Sequence, residues 1–438
     1  MLTFGRLSWE IRVSLGAAAV FFSMVISRSL RDYFDEPTLL KLFRVQFLLF
    51  INTLMSIGSR YIWKRTVSNL QILCTVSCNG SKCFTGWKII ILVFLFLAHS
   101  SFFSLLALVS EEPHIFSLVS YTCLGMYIFL IFSLFVLGLL EQAQKLLRFT
   151  RATSSNHSRN AVKVVLALLF TVACTVVGFL NALQPPLIKR VEIPVHKLPQ
   201  PFHNLKMVLL ADIHLGPTVG RTKLEMVVKM VNDLNPDIIV IVGDLTDSQV
   251  VNLRTAIEPL RQLVPKLGTY FVTGNHDYYS ADITNWFKHL QTLNIRPLHN
   301  EHVRIYSPSE NKNWFCLAGV DDIEADMLRY PGHGMDLKKA LNGCSTEDAI
   351  VLLAHQPVAA KRALQSRPDI SLVLSGHTHA GQIFPLAIVA YLLNPYFEGL
   401  YKAGENSLVY VTPGTIYYGI PMRLGSRAEI TEIIFKTG

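Results

Sequence analysis

The chain has 438 residues, too many for one ordinary domain, and 51% of them are apolar while only 16% are charged. That balance, with a mean hydropathy of +0.36, excludes a disordered chain and a wholly soluble polar one. The net charge is +9, but 18 of the 40 Lys and Arg residues and only 7 of the 31 Asp and Glu residues fall in residues 1–190, so the basic balance sits among apolar runs and points to a membrane rather than to nucleic acid.

Five apolar runs without Asp, Glu, Lys or Arg occupy residues 13–27, 45–59, 89–110, 115–140 and 164–184. A helix needs about 20 residues to cross the hydrocarbon core. The last three runs reach that length outright. The first two reach it once Arg12, Arg28, Arg44 and Arg60 extend their charges to the interfaces. These runs predict a membrane domain over 1–190 with about five transmembrane helices. His99 lies inside the third run and reads as a neutral imidazole bonded to a neighbouring helix, because no chain of intramembrane charges accompanies it.

Loops 60–88 and 141–163 each carry five Lys and Arg residues, whereas Glu111-Glu112-Pro113-His114 joins the third and fourth runs with none. The positive-inside tendency puts the basic loops in the cytoplasm, and five crossings then leave the C-terminal domain lumenal or extracellular. The sequons Asn79-Gly80-Ser81 and Asn156-His157-Ser158 lie in those same basic loops and oppose this orientation. Cys123 and Cys174 read as small buried hydrophobes. Cys74, Cys78 and Cys83 share one loop in no metal-like spacing, and Cys316 and Cys344 could pair, though nothing in the sequence decides it.

Residues 191–204 read as a linker that holds an amphipathic strand over 191–197, and a second domain is expected over 205–438. There, short apolar strands (Met207 to Leu210, Ile238–Val242, Thr269–Val272, 349–353, 370–374) alternate with helical patterns. Leu224, Val227, Val228, Val231 and Leu234 mark one helix, 253–264 a second, and Ile283, Trp286, Leu290 and Leu293 a third. The segments 408–412 and 429–435 read as antiparallel strands near the end. Alternating strands and helices predict α/β architecture.

Five of the strands are followed at once by hard or borderline ligands. The motifs are Asp212-Ile213-His214, Gly243-Asp244-Leu245-Thr246-Asp247, Gly274-Asn275-His276-Asp277, Ala354-His355-Gln356 and Gly376-His377-Thr378-His379. Ligands of open α/β sheets gather at this carboxyl edge. The set suffices for two cations about 3.5–4 Å apart with a shared anion, the equipment for cleaving a phosphate ester. Four imidazoles and a neutral amide suit Mn, Fe or Zn better than Mg or Ca.

The pattern D-x-H, G-D, G-N-H-D, H, G-H-T-H resembles the calcineurin-like metallophosphoesterase family at every position. The resemblance implies that the domain after the expected membrane helices is an α/β four-layer (α/β/β/α) sandwich. It implies one metal on Asp212, His214, Asp244 and His379 and a second on Asp244, Asn275, His355 and His377, with a metal-bound hydroxide as nucleophile. His276 resembles the histidine that protonates the leaving oxygen, and Asp247 its carboxylate partner, although Asp247 also reads as a helix N-cap. Asp277 reads as part of a turn. Ala380 departs from the family's common glycine.

The apolar segment 383–393, straight after His379, reads first as a core helix or strand. Its position also allows contact with a bilayer or acyl chains, hence a lipid-linked phosphate-ester substrate, with no nucleic-acid partner expected. The expected function is a membrane-anchored, dinuclear metal-dependent phosphodiesterase. The rivals are a metal-binding scaffold of the same fold without catalysis, and a channel or transporter with a regulatory domain.

Overall fold

The computed structural model describes residues 8–30, 33, 36–76, 80–147, 157–310 and 312–438. Asn79 and Asn156 of the two sequons lie outside the described residues. The chain forms two compact units, Met1–Ala107 with Val119–Val176 and Leu108–Leu118 with Val177–Gly438.

Five helices, α1 (Trp9–Ser29), α2 (Glu36–Val76), α3 (Gly80–Ala107), α4 (Ile115–Leu147) and α5 (His157–Leu183), account for the apolar runs. Each is long and apolar enough to cross a membrane. Phe22, Phe96 and Leu169 are 62%, 66% and 61% exposed on them. A soluble protein does not display such side chains in rows; lipid is their solvent. Some polar groups inside are paired between helices. His99 has its Nε2 2.8 Å from Ser59 Oγ and its Nδ1 2.7 Å from Asn52 Oδ1.

The second unit holds β1 (Leu187–Val195), β2 (Lys206–Leu210), α6 (Arg221–Asp233), β3 (Ile238–Val242), α7 (Val250–Ile257), β4 (Thr269–Val272), α8 (Asn275–Tyr279), α9 (Ile283–Thr292) and β5 (Ile295–Pro297). There follow β6 (Glu301–Tyr306), β7 (Trp314–Gly319), α10 (Glu324–Leu328), α11 (Leu337–Ala340), β8 (Ile350–Leu353), α12 (Pro357–Ser366), β9 (Leu372–Ser375), α13 (Leu386–Leu393), β10 (Gly399–Lys402), β11 (Leu408–Val411) and β12 (Glu429–Thr437).

Two six-stranded sheets result, ordered β1-β12-β2-β3-β4-β5 and β10-β11-β9-β8-β7-β6. Period-two alternation distributes their side chains. Met207 and Leu209 of β2 meet Leu317, Val351 and Leu374 between the sheets, while Val208 and Leu210 face Leu224, Val228 and Trp286 of the outer helices. On the far side, Ile350, Leu352 and Val373 pack on Ala359, Ala360 and Ala363 of α12. This is the expected four-layer arrangement of helix, sheet, sheet and helix. Burying each Val, Leu or Ile contributes about 1.5–3 kcal/mol, so strands covered on both faces are the rigid part of the fold.

The structure corrects several expectations. The strand expected over 191–197 belongs to β1, which begins earlier, at Leu187, ends at Val195, and pairs along its length in parallel with β12, covering that strand's edge. The segments 408–412 and 429–435 do not pair with each other. β11 lies parallel to β9 in one sheet, whereas β12 lies antiparallel to β2 in the other. The hairpin of β6 and β7 escaped the sequence reading. Segment 383–393 is neither core strand nor core helix: α13 has no buried residue. Cys316 and Cys344 form a disulfide with an S–S distance of 2.02 Å.

Candidate metal centre

The parallel strands β2, β3, β8 and β9, with β4, deliver the expected residues to one edge. Asp212, Asp244, His355 and His377 each sit two residues beyond a strand, and Asn275 opens α8. The backbone turns sharply there. Asp212, His214, Asp244, His377 and His379 have φ of 55°, 52°, 51°, 72° and 50°. Non-glycine residues in the left-handed region cost about 1 kcal/mol or more each, and such strain gathers at functional sites. Gly274 is required for a different reason: a Cβ there would run into the Asp244 carboxylate.

All seven expected ligands converge. The ligand atoms of Asp212, His214 and His379 lie within 4.8 Å of one another, as do those of Asp244, His355 and His377. Asp244 Oδ2 stands between the two groups, 3.2 Å from His355 Nε2 and 3.6 Å from His214 Nε2. His379 Nε2 lies 3.4 Å from Asp212 Oδ1 and 3.0 Å from His214 Nε2, and His377 Nδ1 is 2.9 Å from Asn275 Oδ1.

The donor set fits divalent cations. His355 Nδ1 donates to Val242 O at 2.8 Å, which leaves Nε2 as the nitrogen with the lone pair. That Nε2 is buried and has no hydrogen-bond partner. An imidazole oriented by a backbone carbonyl, with its second nitrogen aimed into a cluster of ligands, is how metal sites hold histidine.

The electrostatics agree. Burial opposes ionisation of Asp212, Asp244 and Asp277 alike. The His355 and His276 charges draw Asp244 well below the usual range, and Asp244 in turn helps push Asp212 to about 6 and Asp277 to about 7. Burial holds His377 down to about 3 and keeps His379 neutral, which is the ligating form. His355 is shifted well upward: burial opposes its charge, but Asp244 and Asp212 prevail. A proton and a divalent cation therefore compete for the same anionic slot.

Asp247 lies 3.0 Å from both His214 Nδ1 and His276 Nδ1 through the one oxygen, Oδ1. It is not a helix cap, for Gln249 occupies that place on α7. Burial opposes the charge on His276, but Asp244 and Asp247 outweigh it and lift the imidazole to about 9.

Sequence reasoning missed three supports. Asp277, read as a turn residue, accepts the N–H groups of Asp244, Leu245, Thr246 and Gly274 at 3.0, 3.1, 3.1 and 2.8 Å, so it fixes the loop that carries Asp244. Its place in the G-N-H-D motif was the available signal. Arg423 is buried and donates to His379 O and Pro413 O at 2.9 and 2.8 Å, pinning the loop of the last ligand; no sequence pattern marks it. The ring of Tyr418 packs 4.4 Å from that of His276 and 4.7 Å from that of His214, and nothing in its surroundings in the sequence announces it.

A cluster of this donor composition, on the carboxyl edge of two stacked sheets, defines a metal-dependent phosphoric ester hydrolase. The calcineurin-like phosphoesterase family model matches residues 205–381. A Danio rerio transmembrane protein with metallophosphoesterase domain is 57% identical over 438 residues, covering 100% of both chains. The Bos taurus protein of the same name is 57% identical over 444 residues, covering 100% of this chain and 99% of its own. A metallophosphoesterase of Caenorhabditis elegans is 32% identical over 476 residues, covering 98% of this chain and 97% of its own. The chain belongs to the calcineurin-like phosphoesterase family, and in its long membrane-helical portion it is similar along its whole length to the transmembrane members.

Proposed function

We propose that this membrane protein is a phosphodiesterase acting on a lipid-linked phosphodiester. Asp212, His214, Asp244 and His379 would hold one divalent cation, and Asp244, Asn275, His355 and His377 the other; Mn, Fe or Zn fits these donors. Bound there, the two ions supply an activated water and neutralise charge on the phosphate oxygens. The protein does the rest. Asp244 bridges the two ligand groups, and Asp277 and Arg423 hold the loops that carry Asp244 and His379. Asp247 fixes Nδ1 of His276, so that Nε2 is the nitrogen left to pass a proton to the departing alkoxide. The convergence of the seven ligand side chains carries this reading.

The lipid component rests on α13. It begins at Leu386, a short turn beyond His379, and Tyr391, Leu392 and Leu393 on it are 64%, 74% and 73% exposed. An apolar helix with an exposed outer face suits acyl chains or a bilayer surface. The chain is further read as crossing the membrane five times, with the catalytic domain lumenal or extracellular. The charge asymmetry of its loops supports that side, and so does the Cys316–Cys344 disulfide, since such bonds persist in oxidising compartments.

The test uses the full chain in proteoliposomes. His276→Gln should abolish diester cleavage while metal content, measured by elemental analysis, stays at the wild-type level. Loss of both would return His276 to a structural role. Equal turnover of bis-(p-nitrophenyl) phosphate and of lipid diesters would rule out the lipid preference.

A further inference from the structure

Outside the catalytic cluster, the second unit brings two imidazoles and a carboxylate together once more. Asp321 sits two residues beyond β7, again at the carboxyl end of a strand parallel to its neighbour, β8. His299 follows β5, and His333 lies in the loop between α10 and α11. His299 Nδ1 is 2.8 Å from Asp321 Oδ1, and His333 Nδ1 is 3.2 Å from Asp321 Oδ2. The ligand atoms of the three lie within 4.8 Å of one another. None of them belongs to the motifs of the catalytic edge.

A carboxylate between two histidines can simply be a satisfied structural pair. Three observations point further. First, the Asp321 side chain is only 1% exposed, and the charge partners found for it are these two histidines, with no Lys or Arg among the described ion pairs. Asp321 Oδ2 also accepts the Gly334 N–H at 3.3 Å, and a divalent cation among these atoms would supply the compensating charge that a buried carboxylate calls for. Second, His333 Nδ1 faces two oxygens at once, Asp321 Oδ2 and the hydroxyl of Tyr278 at 3.0 Å. The hydroxyl can itself donate to Nδ1, and the lone pairs of all these atoms are also within reach of one cation. Third, an outer set of bonds holds the three segments in place. Buried Asn300 accepts the N–H groups of Asp321 and Asp336 at 3.1 and 3.0 Å and donates to Gly334 O at 2.7 Å. This is the ordering that metal sites require of the shell behind their ligands.

We propose that His299, Asp321 and His333 form a third, mononuclear cation site, selective for a zinc-class ion. Two imidazoles and a carboxylate are three protein ligands of a tetrahedral zinc site, and water or the Tyr278 hydroxyl supplies the fourth position. The site ties the loops after β5, β7 and α10 together. Through Tyr278 it also braces α8, the helix that carries Asn275, His276 and Asp277. The ion is structural: it stiffens the platform of the catalytic edge and takes no part in the reaction.

The experiment is elemental analysis of the full-length protein in detergent, loaded with zinc and dialysed to constant content. The parent is expected to hold about three equivalents, and His299→Ala about one fewer. The same variant loaded with cobalt(II) should lose the visible absorption of a tetrahedral site and keep that of the dinuclear centre. His299 is chosen because its side chain is 31% exposed; Asp321→Asn, which keeps the shape, is the second variant. A parent content of about two that neither variant changes overturns the third site and leaves the dinuclear reading standing. A parent content of about one that His299→Ala removes supports the third site and sinks the dinuclear reading instead.

Discussion

Replacing Asp277 tests whether the bridging carboxylate is held by a buried acceptor rather than by its own strand. Each carboxylate oxygen of Asp277 accepts two N–H groups: Oδ2 those of Asp244 and Gly274, Oδ1 those of Leu245 and Thr246. Asp277→Asn keeps one oxygen and turns an amide N–H₂ toward the other pair. A buried N–H left without a partner costs about 1–3 kcal/mol, so two such groups cost at least about 2 kcal/mol. Asn also removes a repulsion, because Asp244 and burial already push Asp277 up to about 7; the low end of the range therefore applies. Asp277→Ala strands all four groups, for about 4 kcal/mol. For a unit of this size, each kcal/mol lowers Tm by about 2–4 °C, so roughly 4–8 °C is expected for Asn and twice that for Ala. Hydrogen–deuterium exchange in peptides covering 243–247 should quicken in the same order, since local opening sets that rate. Metal affinity should fall alongside, because Asp244 loses its seat. Equal Tm and exchange for Asn, Ala and parent would refute the argument.

Stripping the metals should make stability depend on pH. His276 is raised to about 9 and His355 is raised too, against an unfolded histidine near 6.5, so the stability they contribute is fully present below about 6.5 and lost as pH rises toward 9. Chelator-treated protein should therefore melt lower at pH 9 than at pH 6.5, and reloading with zinc should flatten the slope; a flat apo profile over that window would contradict the assignment. Ala380 has φ 47° and ψ 35° and is buried, so Ala380→Val should destabilise by about 2 kcal/mol or more while Ala380→Gly stays near neutral, read by thermal melting; the reverse order would dismiss the strain. Glu112 Oε1 accepts both the N–H and the hydroxyl of Thr222 at 2.8 and 2.6 Å, standing in for the side-chain cap that Gly220 cannot give α6. Glu112→Ala should cost about 1 kcal/mol and speed exchange in the first turn of α6; unchanged exchange there would show that the cap is idle.

The donor types of the candidate site can be read from the sequence alone, because metal ligands have to be particular residue types. Asp212, His214, Asp244, Asn275, His355, His377 and His379 each follow an apolar strand, and strand ends of a parallel α/β unit share one edge. The sequence determined the apolar helices as well, since lipid imposes length and composition on each segment independently. What it left open depends on contacts between distant segments. Asp277 looks like a turn until its four N–H partners, three of them around Asp244, are in place. Arg423 matters only once the fold carries the chain back beneath His379. β11 and β12 have similar local patterns, and only the edges available decide that one extends β9 and the other covers β2. α13 reads as core by hydropathy; its exposed apolar face is a property of the folded unit, because burial belongs to neighbours that no local window of sequence contains.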